Sequence, residues 1–299
     1  MSWRTIVITS NAKLDYQMGY LVVRSQKTTK ILLSEIGTLV VESTAVSMTA
    51  YLLSELTKHK VNVIFCDEKR NPSSTLQAFY GCHDTSEKIR KQIKWTDYIK
   101  SAVWTEIVTE KIRKQAALLN ALEKPEAKIL KGYVGQVTLK DATNREGHAA
   151  KVYFNALFGK KFTRSLECSI NAALNYGYTL ILSAVCREIV SNGYMTQIGL
   201  WHDNMFNPYN LGSDLMEPFR PLVDHEVYNM QPQQFEKNEK HKMLDLLNHT
   251  VQIDRRDVFL GNAIKIYVKS VFDAINDKDI ALIRFYKDEL SFYARDHFI

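Results

Sequence analysis

A chain of 299 residues is long enough for one large domain or two ordinary ones with a sizeable core. Apolar residues make up 45% and charged residues 24%, the balance of a globular protein, and no long polar, Gly/Ser-rich or repeated tract is present, which excludes a disordered chain or a solenoid. The net charge of +6 is too modest to mark a nucleic-acid-binding protein by itself.

The opening MSWRTIVITSNAK has a short apolar stretch with Thr inside it and no small-residue cleavage site, so it reads as a strand and not as a signal peptide. Residues 3–9, 20–24, 30–33, 38–42 and 61–66 are short, β-branched runs separated by turn residues, the pattern of strands. Between Val46 and Lys60 the spacing of Met48, Tyr51, Leu52, Leu53 and Leu56 predicts one helix. The polar DEKRNPSST that follows at 67–75 reads as a loop or linker. From about residue 87 the texture is helical. Residues 87–122 carry Ile89, Ile93, Ile99, Val103, Trp104, Ile107, Ile112 and Leu119 at helical intervals, and Pro125 ends the run. A helix is expected from Thr143 or Asn144 to Gly159, then a helix pair or one broken helix over 165–191, ended by Asn192 and Gly193. Residues 197–217 read as loop, with helices again from about 214, at 234–248, 256–275 and 279–295. The fold class expected is α+β: a small β-rich N-terminal domain (1–75), a linker (76–87) and a larger all-α C-terminal domain (88–299).

No apolar run approaches the roughly 20 residues that span a bilayer, so no membrane association is expected. The four cysteines, Cys66, Cys82, Cys168 and Cys186, form no CxxC pair and fit the reduced thiols of a cytoplasmic protein.

Charge is unevenly spread. Residues 124–164 hold nine Lys or Arg against three acids, an excess equal to that of the whole chain, whereas residues 201–257 hold ten acids against six Lys or Arg. A basic stretch attracts phosphates and an acidic one holds a cation, though solvated helix faces give the same pattern. Three segments carry candidate chemistry. In NREGHAAKVYFNALFG (144–159) Glu146 falls in the first helical turn, where an acid also stabilises the helix dipole. In IGLWHDN (198–204) His202 follows an apolar stretch and is either a ligand or a satisfied core histidine. In SDLMEPFRPLVDHEVY (213–228) Asp214 and Glu217 are three apart and share a helix face, with an N-cap and capping box as the structural alternative. Carboxylates with one imidazole suit Mn²⁺ or Mg²⁺, and a Zn²⁺ site fits less well because no second His or Cys accompanies His202. No GxxxxGK[ST] phosphate loop and no GxSxG elbow exist, which argues against nucleotide hydrolysis and a serine hydrolase. Fifteen tyrosines leave covalent catalysis by tyrosine open, but no Arg/His cluster marks one.

NREGHAA, then LWH, then DLMEPFRP, together with VNVIFCDEKRNPSS near the N-terminus, resemble the CRISPR-associated endonuclease and integrase of spacer acquisition, and in particular the subfamily found with single-protein effector nucleases, as in type II-A-like systems. The likeness covers nearly the whole chain, including the strands-then-helices layout. It implies Glu146, His202 and Glu217 as catalytic metal ligands for Mg²⁺ or Mn²⁺, and Asp214 as an accessory acid. Many members carry Asp where this chain has Glu217, a change of one methylene that leaves the oxygens able to coordinate. The implied reaction is attack by the 3′-hydroxyl of a short duplex on a phosphodiester at the edge of a CRISPR repeat, with His202 also able to orient the leaving group. Arg145, Lys160, Lys161, Arg164 and Arg220 are candidate phosphate contacts. NYGY at 175–178 resembles a family segment near the site and also reads as helix packing. The implied partners are double-stranded DNA with 3′-OH ends, CRISPR repeat DNA, a second copy forming a homodimer through the β-rich domain, a small ferredoxin-like adaptation subunit and the effector nuclease of the same system. The residues alone leave two alternatives: a metal-dependent nuclease that only cleaves, and a non-catalytic DNA-binding scaffold.

Overall fold

The computed structural model describes residues 4–79 and 81–287. The N-terminal part is strand-rich. One sheet runs β4 (Thr28–Leu32), β3 (Tyr20–Arg24), β2 (Ala12–Gln17), β6 (Val46–Met48); the other runs β1 (Arg4–Ile8), β5 (Ile36–Val41), β7 (Asn62–Cys66), β8 (Pro72–Leu76). β1, β5 and β7 are parallel, and β8 closes the edge antiparallel to β7. Parallel strands covered on both faces read as continuous apolar runs, and β5 and β7 show why. Leu39, Val41 and Val63 enter a core with Leu14, Leu21 and helix α1 (Ala50–Lys58), while Val40, Ile64 and Cys66 on the opposite face join the core of the helices.

The rest is mostly helical: α2 (Thr85–Ile93), α3 (Asp97–Ala121), α4 (Ala127–Val134), α5 (Arg145–Phe158), α6 (Ser169–Ser191), α7 (Asn210–Leu215), α8 (Arg220–Met230), α9 (Lys237–Asp245) and α10 (Leu260–Asp277). α3, α6 and α10 supply much of the buried interior, through side chains such as Ile107, Ile112, Leu174, Ile181, Ile264 and Val268. None of the described helices is long and apolar enough to cross a membrane.

Several expectations need correction. The helix predicted over 46–60 begins as strand β6, and Thr49 then caps α1 through the N–H of Leu52. PSSTL, inside and just past the expected loop, is the edge strand β8, whose exposed polar side chains hide it. The 87–122 run is two helices, because Thr96 turns out of helical geometry to cap α3. Residues 165–191 contain one helix, α6, which begins only at Ser169. The C-terminal part is not all-α: Thr250–Ile253 and Arg256–Phe259 pair as an antiparallel hairpin, β9 and β10, so the first residues of the predicted 256–275 helix are strand. Its two-residue turn, Asp254 and Arg255, has positive φ at both positions, a geometry that Asn-Gly signals and Asp-Arg does not. Of the predicted 279–295 helix, Ile280–Leu282 is a single 3₁₀ turn, 283–287 are not helical, and 288–295 lie outside the described residues.

Candidate active site

Glu146 is placed by local capping. Asn144, in left-handed geometry, accepts the N–H of Gly147, and the buried Asp141 carboxylate accepts the N–H groups of Arg145 (2.8 Å) and Glu146 (3.0 Å). The first turn of α5 is thereby satisfied by Asp141 and Asn144, leaving the Glu146 side chain, about a third exposed, free for another partner.

Glu217 sits in a 3₁₀ turn, Glu217–Phe219, that links α7 to α8 with Pro218 at its start. The capping box, the structural alternative for Asp214 and Glu217, does not form. Asp214 lies inside α7 and Glu217 follows it, so the two carboxylates serve different partners. Glu217 is buried, and Arg220 Nε donates to its Oε1 at 2.8 Å.

The two glutamates meet at Lys111 of α3. Its ammonium forms a close ion pair with Glu146 and stands 2.5 Å from Glu217 Oε2. Burial works against the Lys111 charge, but Glu217 and Glu146 outweigh it and hold the lysine above its ordinary range. Burial likewise pushes the Glu217 carboxyl up, yet Arg220 and Lys111 more than compensate and bring it down to about 2. Sequence reading missed Lys111. The available signal is its place on α3: it falls seven residues, two turns, after Trp104 and beside Ile112, on the apolar stripe of the helix.

His202 comes from the other side. The Asp214 carboxylate, fully buried, accepts the backbone N–H groups of Leu200 (2.6 Å), Trp201 (3.1 Å) and His202 (3.1 Å), and its Oδ1 lies 2.6 Å from His202 Nδ1. A carboxylate at Nδ1 fixes the proton there and leaves the Nε2 lone pair as the ligating atom of a neutral ring. The Asp214 hydrogen bond raises the His202 pKa; burial opposes it, and the Asp214 and Glu217 charges add to it. Trp104 stacks on Trp201 at 5.9 Å and stands edge-on to the His202 ring. One face of α3 therefore supports both halves of the site.

Beneath Arg220 lies the second tyrosine of NYGY, Tyr178. The Arg220 guanidinium sits 4.5 Å from the centre of the Tyr178 ring. Tyr178 OH and Tyr153 OH (2.9 Å) both donate to the buried Asp224, joining α6 and α5 to α8. Gly177 serves packing, since a Cβ there would lie 2.4 Å from Met243 Cε. Of the other basic candidates, Lys160 and Lys161 are exposed just past α5, Arg145 lies 5.4 Å from the Tyr133 ring, and Arg164 is held by Asn171 and Asn175. Arg220 is turned inward to Glu217 and Tyr178.

Among the described residues, no three His, Cys, Asp or Glu side chains stand close enough as placed to enclose a metal ion. Glu146 and Glu217 are brought together by a cation, and His202 is tied to Asp214. The donor set nevertheless fits a divalent ion: two carboxylates already gathered around one positive charge, and an imidazole fixed from behind by a buried acid.

Residues 5–248 match the family described as CRISPR associated protein Cas1. The chain belongs to the Cas1 family. A Cas1 endonuclease of Neisseria meningitidis serogroup C is 32% identical over 93% of this chain and 94% of that one. A second Cas1 endonuclease, of Francisella tularensis subsp. novicida, is 25% identical over 85% and 87%. Among solved structures, a casposase bound to integration product shares the fold with a TM-score of 0.75 at 16% identity, covering 94% of this chain and 93% of that one. A Cas1 protein from Thermotoga maritima does so with a TM-score of 0.70 at 15% identity, covering 96% and 100%. A Cas6-RT-Cas1–Cas2 complex contains a chain matched with a TM-score of 0.73 at 19% identity, over 96% of this chain and 36% of that one. The mostly helical part after a strand-rich start is thus the Cas1 arrangement.

Proposed function

We propose that this Cas1-family chain is a metal-dependent DNA endonuclease and integrase that joins the 3′-hydroxyl of a short duplex to a phosphodiester at a CRISPR repeat. The observation that carries the reading is the meeting of Glu146 and Glu217, from separate elements, at one buried positive charge, with a histidine oriented by Asp214 that feels the Glu217 charge. Glu146, Glu217 and His202 Nε2 would hold Mg²⁺ or Mn²⁺. Bound there, the ion supplies Lewis acidity to a phosphoryl oxygen and stabilises charge on the attacking or leaving oxygen. Asp214 keeps the imidazole in one tautomer and pins the loop that bears it. Arg220 orients Glu217, and Asp141 fixes the turn that bears Glu146. Lys160 and Lys161, exposed just past α5, would meet phosphates, with Arg145 and Arg164 as further candidates.

The casposase relative bound to integration product supports strand joining over simple cleavage. The Cas6-RT-Cas1–Cas2 complex that contains a matched chain supports Cas2 as the adaptation partner. Homodimerisation through the strand-rich part and contact with the effector nuclease of the same system belong to the proposal through the family resemblance alone. The test supplies 3′-OH duplex DNA, a repeat-bearing plasmid and Mg²⁺ or Mn²⁺, and scores joined products on a gel. Joining that is lost in Glu146→Ala, His202→Ala and Glu217→Ala is the expected result. Cleavage without joining points to a nuclease alone, neither joining nor cleavage by the unsubstituted chain leaves only a scaffold, and joining retained by all three variants places the chemistry at other residues.

A further inference from the structure

Lys111 touches both glutamates of the donor set, and the proposed reaction gives it no role. Its side chain is 7% exposed, and it comes from a helix that contributes neither glutamate. A buried ammonium is tolerated only where opposite charges surround it, and here they are the two carboxylates of the donor set. The same two carboxylates, facing one another without a cation between them, would repel across a buried gap. An ammonium seated between the two carboxylates occupies the space from which a divalent ion would reach both, and its charge repels the ion.

We propose that Lys111 is a built-in counter-cation that competes with the divalent ion for Glu146 and Glu217, so that the ion binds by displacing the ammonium. This rests on the metal-dependent reading above and adds to it. The lysine keeps the metal-free site neutralised and folded, and it sets the ion concentration at which the site loads. Its effect on affinity is that of any competing state: the apparent affinity falls by the fraction of molecules in which the carboxylates are engaged by the ammonium. Arg220 does not share this role, because it holds Glu217 through Oε1 and not through the oxygen facing Lys111.

The experiment is Mn²⁺ titration by calorimetry on the full chain without DNA, with thermal unfolding followed at each Mn²⁺ concentration. Lys111→Met removes the charge. Lys111→Gln removes the charge but keeps an amide donor between the carboxylates, so it serves if the first variant does not fold. Both are expected to bind Mn²⁺ about tenfold more tightly than the unsubstituted chain, and to show a larger Mn²⁺-induced rise in unfolding temperature. Equal or weaker Mn²⁺ binding by the folded Lys111 variants, with binding lost in Glu146→Ala, overturns the competition and leaves the metal site standing. Unchanged Mn²⁺ binding in Glu146→Ala overturns the metal reading itself.

Discussion

Asp214 Oδ1 lies 2.6 Å from His202 Nδ1, and the same carboxylate takes the N–H groups of three consecutive residues, 200 to 202. The acid is therefore a structural anchor as much as a partner of the ring. Asp214→Ala strands those buried donors, each at a cost of about 1–3 kcal/mol. We expect at least ~3 kcal/mol of lost stability in urea unfolding, and loss of DNA joining even where the variant is folded. Asp214→Asn keeps an acceptor on one side only, for instance toward the N–H groups of Leu200 and Trp201, and turns an amide donor toward His202 on the other. It is expected to recover part of the stability but little of the activity, because the charge behind the imidazole is gone.

Arg220 and Glu217 form a buried pair in which the arginine also lies over Tyr178. Arg220→Ala leaves a buried carboxylate with Lys111 as its remaining cation, a loss of about 3–5 kcal/mol for breaking such a pair. Arg220→Lys keeps the charge but loses the Nε contact and the planar stacking, so it should recover only part of that. Denaturant midpoints of the three proteins give the comparison; no loss in Arg220→Ala would mean that the pair contributes nothing.

Asp224 has a calculable pH signature. Burial pushes its carboxyl up from 3.8 to about 6, against the lowering effect of the Tyr178 and Tyr153 hydrogen bonds and of Arg220. The raised folded value means that the contribution is fully present below the unfolded pKa and is lost as pH rises through about 6. The rise from 3.8 to about 6 corresponds to about 3 kcal/mol. The stability difference between Asp224→Asn and the unsubstituted chain should therefore shift by about 3 kcal/mol in favour of the variant from pH 4 to pH 7. A difference independent of pH would show that Asp224 is not neutralised in the fold.

Gly177 tests the packing role of NYGY. An added Cβ would lie 2.4 Å from Met243 Cε and 2.5 Å from Val223 Cγ1. Gly177→Ala should cost about 1–3 kcal/mol by overpacking α6 against α8 and α9. Gly159→Ala would be strained for a different reason, its positive φ, with open space around it.

What the sequence made legible follows the strength of local patterning. β3, β5 and β7 are apolar runs with a buried face, and α5 announces itself by a cap at Asn144 and a stop at Gly159. β2 escaped because AKLDYQ mixes charges into a strand in which Leu14 alone is fully buried. The β9–β10 turn escaped because Asp254-Arg255 carries no glycine. Glu146 and Glu217 were found through motif order, and their convergence is tertiary: nothing in either segment states that a lysine from α3 stands between them. The three-residue spacing of Asp214 and Glu217 suggests a shared role, yet the contacts of Asp214 run to the loop at residues 200–202. Arg220, read as a phosphate contact, has its charge turned to Glu217 instead.

The central claim is that Glu146, His202 and Glu217 converge on one divalent ion. Crystals of the full chain grown with Mn²⁺ and measured at the manganese absorption edge test it directly. The account predicts one anomalous peak bounded by the two glutamates and His202 Nε2, with Lys111 moved from between the carboxylates. A peak held by other residues, or Lys111 still bridging Glu146 and Glu217 with no peak beside them at saturating Mn²⁺, would contradict it.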